Sequence, residues 1–199
     1  MENEATRLLQ FGLASVDPDG GFGWLREDGT RDASRDTELW ITCRMTHVYS
    51  LAALLGHPGA STLVDHGLAA LTGRFHDDKN GGWFSAVSRK GPTNDRKEAY
   101  AHAFVILASS SAMAVGRPLA RSLFDEALLI SEERFWDDEV GMSRESFSRD
   151  WGEGEEYRGL NANMHTVEAY LAASDVSGNL RWARRGWERT RSATWASAS

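Results

Sequence analysis

A face with three chemically useful side chains lies near the start of the sequence. Trp40, Arg44 and His47 follow the spacing i, i+4 and i+7, so a helix through them places all three on one side. A tryptophan stacks on sugar rings, and a guanidinium and an imidazole hydrogen-bond hydroxyl groups. Ionisable side chains of this kind also occur as buried structural pairs. The spacing alone leaves both uses open.

Similar side chains open two later helical segments. Tyr100 and His102 begin the second, and Asn161, Asn163 and His165 begin the third. Random surface polarity does not predict polar and aromatic residues at corresponding ends of three helices. We therefore expect these ends to converge on one pocket.

A repeat of about sixty residues must position these side chains. Gly56 and Gly116 are 60 positions apart, Phe75 and Phe135 are also 60 apart, and the turn at Gly178 follows Gly116 by 62. Fixed-period similarity of this kind indicates stacked helix pairs that bury their apolar faces against one another. The expected repeats cover about 38–95, 96–160 and 161–199.

Within each repeat an apolar inner helix precedes an amphipathic outer helix. Residues 38–55 and 96–115 are apolar on most faces, which predicts helices surrounded by protein, whereas 60–75 and 119–135 have one apolar stripe. Residues 82–92 predict a strand and turn. The expected fold class is all-α, with short β-hairpin insertions, in one incomplete domain spanning 1–199.

Composition excludes several function classes. The net charge of −7 argues against nucleic acid, and the single Cys43, expected to be buried, cannot form an internal disulfide or a cysteine zinc cage. No membrane-spanning or signal segment is recognisable, so cytoplasmic localisation is expected. Phosphate-loop, nucleophile-elbow and zinc-protease motifs are also absent from the sequence.

The other titratable residues have simpler interpretations. His57, His66 and His76 fall in turns or on outer-helix faces, where a solvated surface role is expected. Glu155 lies in an acidic loop that is either solvated or one of the paired carboxylates of a glycoside hydrolase.

The basic segment 180–191 is unusual because it lacks the leucine stripe of the earlier outer helices. It fits a solvated charged helix, a weak nucleic-acid patch, or a break in the reading frame near Trp182.

Several motifs together resemble the N-acylglucosamine 2-epimerase superfamily, most closely its mannose isomerase and sulfoquinovose isomerase branch. The resemblance covers about residues 5–180 and rests on Gly21-Phe-Gly-Trp-Leu25, Leu39-Trp-Ile-Thr-Cys-Arg-Met-Thr-His-Val-Tyr49, Leu63-Val-Asp-His-Gly67, Gly81-Gly-Trp83 and Glu155-Glu-Tyr-Arg-Gly-Leu-Asn-Ala-Asn-Met-His-Thr-Val-Glu-Ala169.

The resemblance implies a partial (α/α)6 toroid that isomerises a monosaccharide by moving a proton between C1 and C2, without a metal or other cofactor. By motif position it implies that His165 is catalytic, and that the side chains contacting the sugar are Trp40, Arg44, Tyr100 and Asn161. It carries over His47 and His102 only as neighbours of the pocket.

The family's two principal acid/base histidines and an accompanying glutamate belong to the second half of the toroid, which has no counterpart here. We therefore expect a truncated sugar isomerase with little catalysis on its own, and either a homodimer or a complementing second half as partner. The alternatives are an inactive carbohydrate-binding half-barrel and a toroidal glycoside hydrolase that uses Glu155.

Overall fold

The computed structural model describes the backbone of residues 2–196 and the side-chain surroundings of residues 4–188. Seven α-helices dominate this part of the chain. They are α1 (Glu2–Gly12), α2 (Leu39–Leu54), α3 (Ala60–Thr72), α4 (Ala99–Ala114), α5 (Ala120–Ile130), α6 (Leu160–Ser177) and α7 (Leu180–Ala196). Short 3-10 and π-helical turns follow α1 and α5 at Leu13–Ser15 and Ser131–Phe135. The predicted helical class is confirmed.

Three inner helices form the centre of the molecule, with α4 between α2 and α6. Helix α4 contains no aspartate, glutamate, lysine or arginine, and most of its residues are buried. Helix α2 is covered on only part of its surface, because Val48, Leu51 and Leu54 remain exposed. The prediction that the first inner helix is surrounded by protein is therefore wrong for this face.

The outer helices pack on the inner ones through single apolar stripes. Val64, Leu68 and Leu71 of α3 are buried, and α5 buries Leu123 and Leu128 in the same way. Burying such stripes while their polar sides face water is what holds an amphipathic helix in place.

Helix α7 occupies the corresponding outer position beside α6. Trp182 is buried against Tyr170 with ring centroids 5.3 Å apart, and Gly186 lies over Val167. A tryptophan and a close glycine contact therefore replace the leucine stripe of the earlier outer helices. Arg181 and Arg184 are exposed.

Seven short strands in the described part of the chain lie at the beginnings of the inner helices. Strands β1 (Thr37–Glu38), β2 (Ala86–Ser88) and β3 (Gly91–Asn94) form an antiparallel sheet. Strand β4 (Lys97–Glu98) pairs with β7 (Ser146–Phe147), and β5 (Trp136–Asp137) pairs with β6 (Met142–Ser143). The predicted β-hairpin insertions are thus confirmed, with the hairpin turn at residues 89 and 90.

Within residues 2–196 no helix combines the length and apolar character that a membrane crossing requires.

Candidate functional site

The starts of α2 and α4 are fixed by the strands beside them. The Leu39 N–H donates to the Ser85 carbonyl at 3.0 Å, and the Ala99 N–H donates to the Glu145 carbonyl at 2.9 Å. At the start of α6, the Gly159 N–H donates to the Glu145 carboxylate at 3.1 Å. Because the first N–H groups of a helix have no partner within it, these bonds both satisfy the backbone and set where each helix begins.

Equivalent positions of the three inner helices form three rows of side chains. The helices begin at Leu39, Ala99 and Leu160, so their second, sixth and ninth residues correspond. The first row contains Trp40, Tyr100 and Asn161, the second Arg44, Phe104 and His165, and the third His47, Leu107 and Glu168.

The Arg44 guanidinium joins the first two rows. It lies 4.4 Å from the ring centroid of Phe104 and 5.3 Å from that of Trp40. Its Nη2 donates to the Tyr100 hydroxyl at 3.4 Å. Aromatic faces attract a cation without consuming its hydrogen-bond donors, so a half-buried guanidinium in this setting keeps donors for a ligand.

The His165 ring lies against the same aromatic residues. Its centroid is 5.3 Å from Tyr100 and 4.8 Å from Phe104, and its Nδ1 is 2.8 Å from a carboxylate oxygen of Glu168. The side chain remains 17% exposed. Trp40, Arg44, Tyr100 and His165, which come from three helices, thus form one partly open cluster that we call the inner-wall cluster.

Two other residues named from the sequence lie differently. Asn161 is exposed at the start of α6, whereas Asn163 is buried and binds the backbone of Ser143 and Gly159. His47 lies one turn beyond Arg44 with its Nδ1 2.6 Å from the Ser111 hydroxyl. Burial lowers the pKa of His47, although the Glu168 carboxylate opposes this shift, so the imidazole is neutral at pH 7.

His102 is a structural residue and not a neighbour of the pocket. It is 2% exposed, its Nδ1–H donates to the Glu98 carbonyl at 2.8 Å, and its Nε2 accepts from the Trp83 N–H at 3.2 Å. Burial lowers its pKa to about 3. The placement of His102 beside the pocket was wrong because this residue of α4 points outward, toward the loop at Trp83.

The surface role expected for His66 and His76 is also wrong. The Nε2 of His66 is 2.8 Å from the Gly21 carbonyl, and its ring packs on Phe22. His76 bridges Asp78 at 2.7 Å and Glu126 at 2.8 Å. Both histidines connect loops to helices, which a single-helix pattern does not reveal.

Half-buried carboxylates near the helix starts were not foreseen as site residues. Glu38 accepts from the Trp40 indole at 3.2 Å, and burial raises the pKa of Glu38, with a smaller contribution from Glu98. Burial also raises the pKa of Glu145, together with the charges of Glu155 and Glu98. The 60-residue interval between Glu38 and Glu98 was the available sequence signal.

The acidic loop has a structural role of its own. The Glu155 carboxylate accepts from Arg96 at 2.8 Å and from the Ser146 hydroxyl at 2.7 Å. These contacts tie the loop to β7 and to the segment before β4. Among the described residues, no group of three or more histidine, cysteine, aspartate or glutamate side chains is arranged to hold a metal ion.

Comparisons of the sequence and of the structure with known proteins point to the same family. The family model described as N-acylglucosamine 2-epimerase (GlcNAc 2-epimerase) matches residues 20–195, a range that extends past Trp182. A D-mannose isomerase from Thermobifida fusca is 50% identical over 93% of this chain and 46% of its own length. One from Pseudomonas cannabina pv. alisalensis is 46% identical over 92% of this chain and 44% of its own.

A solved structure of a D-mannose isomerase superposes with a TM-score of 0.89 at 26% identity, covering 96% of this chain and 49% of that one. The chain thus spans about half the length of the relatives it matches, and its helix pairs correspond to half of their α/α toroid. By sequence motif, helix arrangement and family match, the chain belongs to the N-acylglucosamine 2-epimerase family.

Proposed function

We propose that this chain forms the substrate-binding half of an aldose–ketose isomerase that interconverts D-mannose and D-fructose. The observation that carries the proposal is the inner-wall cluster, in which three successive inner helices bring Trp40, Arg44, Tyr100 and His165 together. The 50% identity to a D-mannose isomerase supports mannose as the sugar.

Each side chain has a defined part in this proposal. Trp40 provides an apolar face for the sugar ring, and Arg44 and the Tyr100 hydroxyl bind sugar oxygens. His165 lies at the C1–C2 edge, where isomerisation moves a proton and a positioned imidazole is an effective acid or base. Asn161, exposed at the rim, contacts a hydroxyl at the open end.

Efficient turnover requires residues beyond this half. A ring has two sides, and the inner-wall cluster covers the sugar from one side only. We therefore propose a complementing second half as partner. A homodimer fits less well, since a second copy would repeat the residues of this half and supply none beyond it.

The test combines binding and complementation. Titration of the isolated chain with D-mannose is expected to show binding that is lost in Trp40→Ala and His165→Ala and kept in His57→Ala. Adding the part of the Thermobifida fusca relative outside the match is expected to give mannose-to-fructose turnover that depends on His165. A folded chain without mannose binding would contradict the proposal. Turnover by the isolated chain would contradict only the need for a second half.

A glycoside hydrolase remains the second candidate, because the raised pKa of Glu145 close to Glu155 suits a general acid. The ion pair of Glu155 with Arg96 opposes this role. Hydrolysis of a mannoside that is lost in Glu155→Gln and kept in His165→Ala would favour it over isomerisation.

A further inference from the structure

We propose that Glu168 is a positioning residue for His165: its carboxylate holds the imidazole proton on Nδ1 and leaves Nε2 to accept a hydrogen bond from a sugar hydroxyl. This inference rests on the proposed function. It concerns a residue of the third row that lies within the family-like motif ending at Ala169, although the resemblance assigns that residue no part in sugar binding.

The geometry comes from the spacing on α6. Glu168 follows His165 by three residues, so the two side chains share one face of the helix. Glu168 Oε2 lies 2.8 Å from His165 Nδ1. An ionised carboxylate only accepts hydrogen bonds, so the proton of a neutral imidazole must be on Nδ1. Nε2 then carries the lone pair.

The ring itself is held by the neighbouring helix. Tyr100 meets it at an interplanar angle of 80°, and Phe104 lies 4.8 Å from its centroid. These contacts limit where the imidazole plane can go. They carry no proton acceptor for Nδ1, so the choice of tautomer falls to Glu168.

Because the Glu168 side chain is largely exposed, its role in positioning His165 can be tested without unfolding the protein. Glu168 is 52% exposed, and a contact to a charged side chain at such a place contributes little to folding. Removing the Glu168 carboxylate should therefore leave the helix folded. The proton of the His165 imidazole would then no longer be held on Nδ1. An imidazole without a fixed acceptor at Nδ1 exchanges between tautomers, and in one of them Nε2 no longer accepts from a sugar hydroxyl.

The first measurement is of the tautomer, in the full chain labelled with ¹⁵N-histidine and free of sugar. Two-bond ¹H–¹⁵N correlation spectra at neutral pH are expected to show Nδ1–H for His165. Glu168→Ala is expected to give a mixed or Nε2–H pattern. Asp175→Ala, which removes a carboxylate two turns further along α6, should leave the pattern unchanged. An Nε2–H form in the wild type, or no change in Glu168→Ala, would overturn the positioning role.

A mannose titration of the same samples separates this inference from the proposed function. We expect D-mannose to shift the His165 ring signals, with binding about 2- to 10-fold weaker in Glu168→Ala, as for the loss of one hydrogen bond. Unchanged affinity in that variant would overturn the role of Glu168 while leaving the sugar site intact. Absence of any mannose-dependent shift in the wild type would instead overturn the proposed function, whatever the tautomer.

Discussion

At the scale of single residues, the role of each histidine depends on the side chains and backbone groups around it. Its spacing along the sequence does not determine that role. His165 and His47 lie on the inner wall, whereas His102 is enclosed between Glu98 and Trp83. Protonating His102 on Nε2 would turn its only acceptor into a second donor facing the Trp83 N–H. The fold therefore holds this imidazole neutral, and its chemistry is unavailable to a substrate.

His102 should make the protein sensitive to mild acid. Its pKa is about 3 when folded against an ordinary value of 6.5, so below pH 6.5 the unfolded chain binds a proton that the folded chain does not. Its contribution to stability is complete above pH 6.5 and falls as the pH is lowered. We expect a loss of about 2 kcal/mol between pH 7 and pH 5, measured by urea denaturation. His102→Gln should be less stable at pH 7 but should lose less on acidification. An equal loss in both proteins would contradict this assignment.

The contribution of His76 to stability should depend on pH in the opposite direction. Burial lowers its pKa, but the hydrogen bonds to Glu126 and Asp78 outweigh burial and raise it above 6.5. The bridge therefore makes its full contribution to the free energy of unfolding below pH 6.5. This contribution is lost as the pH rises through the pKa that His76 has in the folded protein. The stability difference between wild type and His76→Gln should shrink from pH 6 to pH 8, by less than about 1 kcal/mol because Asp78 is exposed. A difference that grows over this range would show that the imidazole is not protonated in the bridge.

At the scale of elements, the distance between α2 and α3 is set by a residue with no side chain. A Cβ on Gly67 of α3 would overlap the Thr46 hydroxyl and lie 3.0 Å from Thr46 Cβ. Thr46 is fully buried in α2 and donates to the Thr42 carbonyl at 2.8 Å, so it has no room to move away. The two helices can approach this closely only with glycine at position 67.

Gly67→Ala should therefore destabilise the protein by about 1–3 kcal/mol through overpacking, although alanine is the better helix former. Thermal or urea unfolding measures the change. Thr46→Ala in the same chain should recover part of the loss. Gly186→Ala is the matched control, because its new methyl group would meet Val167 at an ordinary 3.6 Å. Equal effects of the two alanine substitutions would refute the packing argument.

At the scale of the whole molecule, one edge of the half-toroid is apolar and open. A groove of about 610 Å³ lies between α1 and α2, where Leu8, Phe11 and Leu51 are exposed. A groove lined by exposed apolar side chains is a common site of association between proteins.

We therefore expect the isolated chain to self-associate with concentration and to bind a hydrophobic dye. The double substitution Leu51→Lys with Leu55→Glu should weaken both, because it places charges along the groove. Sedimentation velocity and dye fluorescence measure these effects. Leu129→Lys, on the exposed side of α5, is the control and should change neither. A wild type that stays monomeric without binding dye would show that the groove does not drive association.

The sequence by itself determined the helical class, the inner and outer helices, the β insertions and the family, because apolar periodicity and short motifs are local properties of the chain. It also placed Trp40 and Arg44 on one face. Only the tertiary structure decided that His102 is buried away from the pocket, that His66 and His76 connect loops to helices, and that Glu168 contacts His165. Those outcomes depend on which side of a helix the neighbouring elements cover. The covered side of a helix cannot be read from a single sequence, because it depends on contacts between residues far apart in the chain.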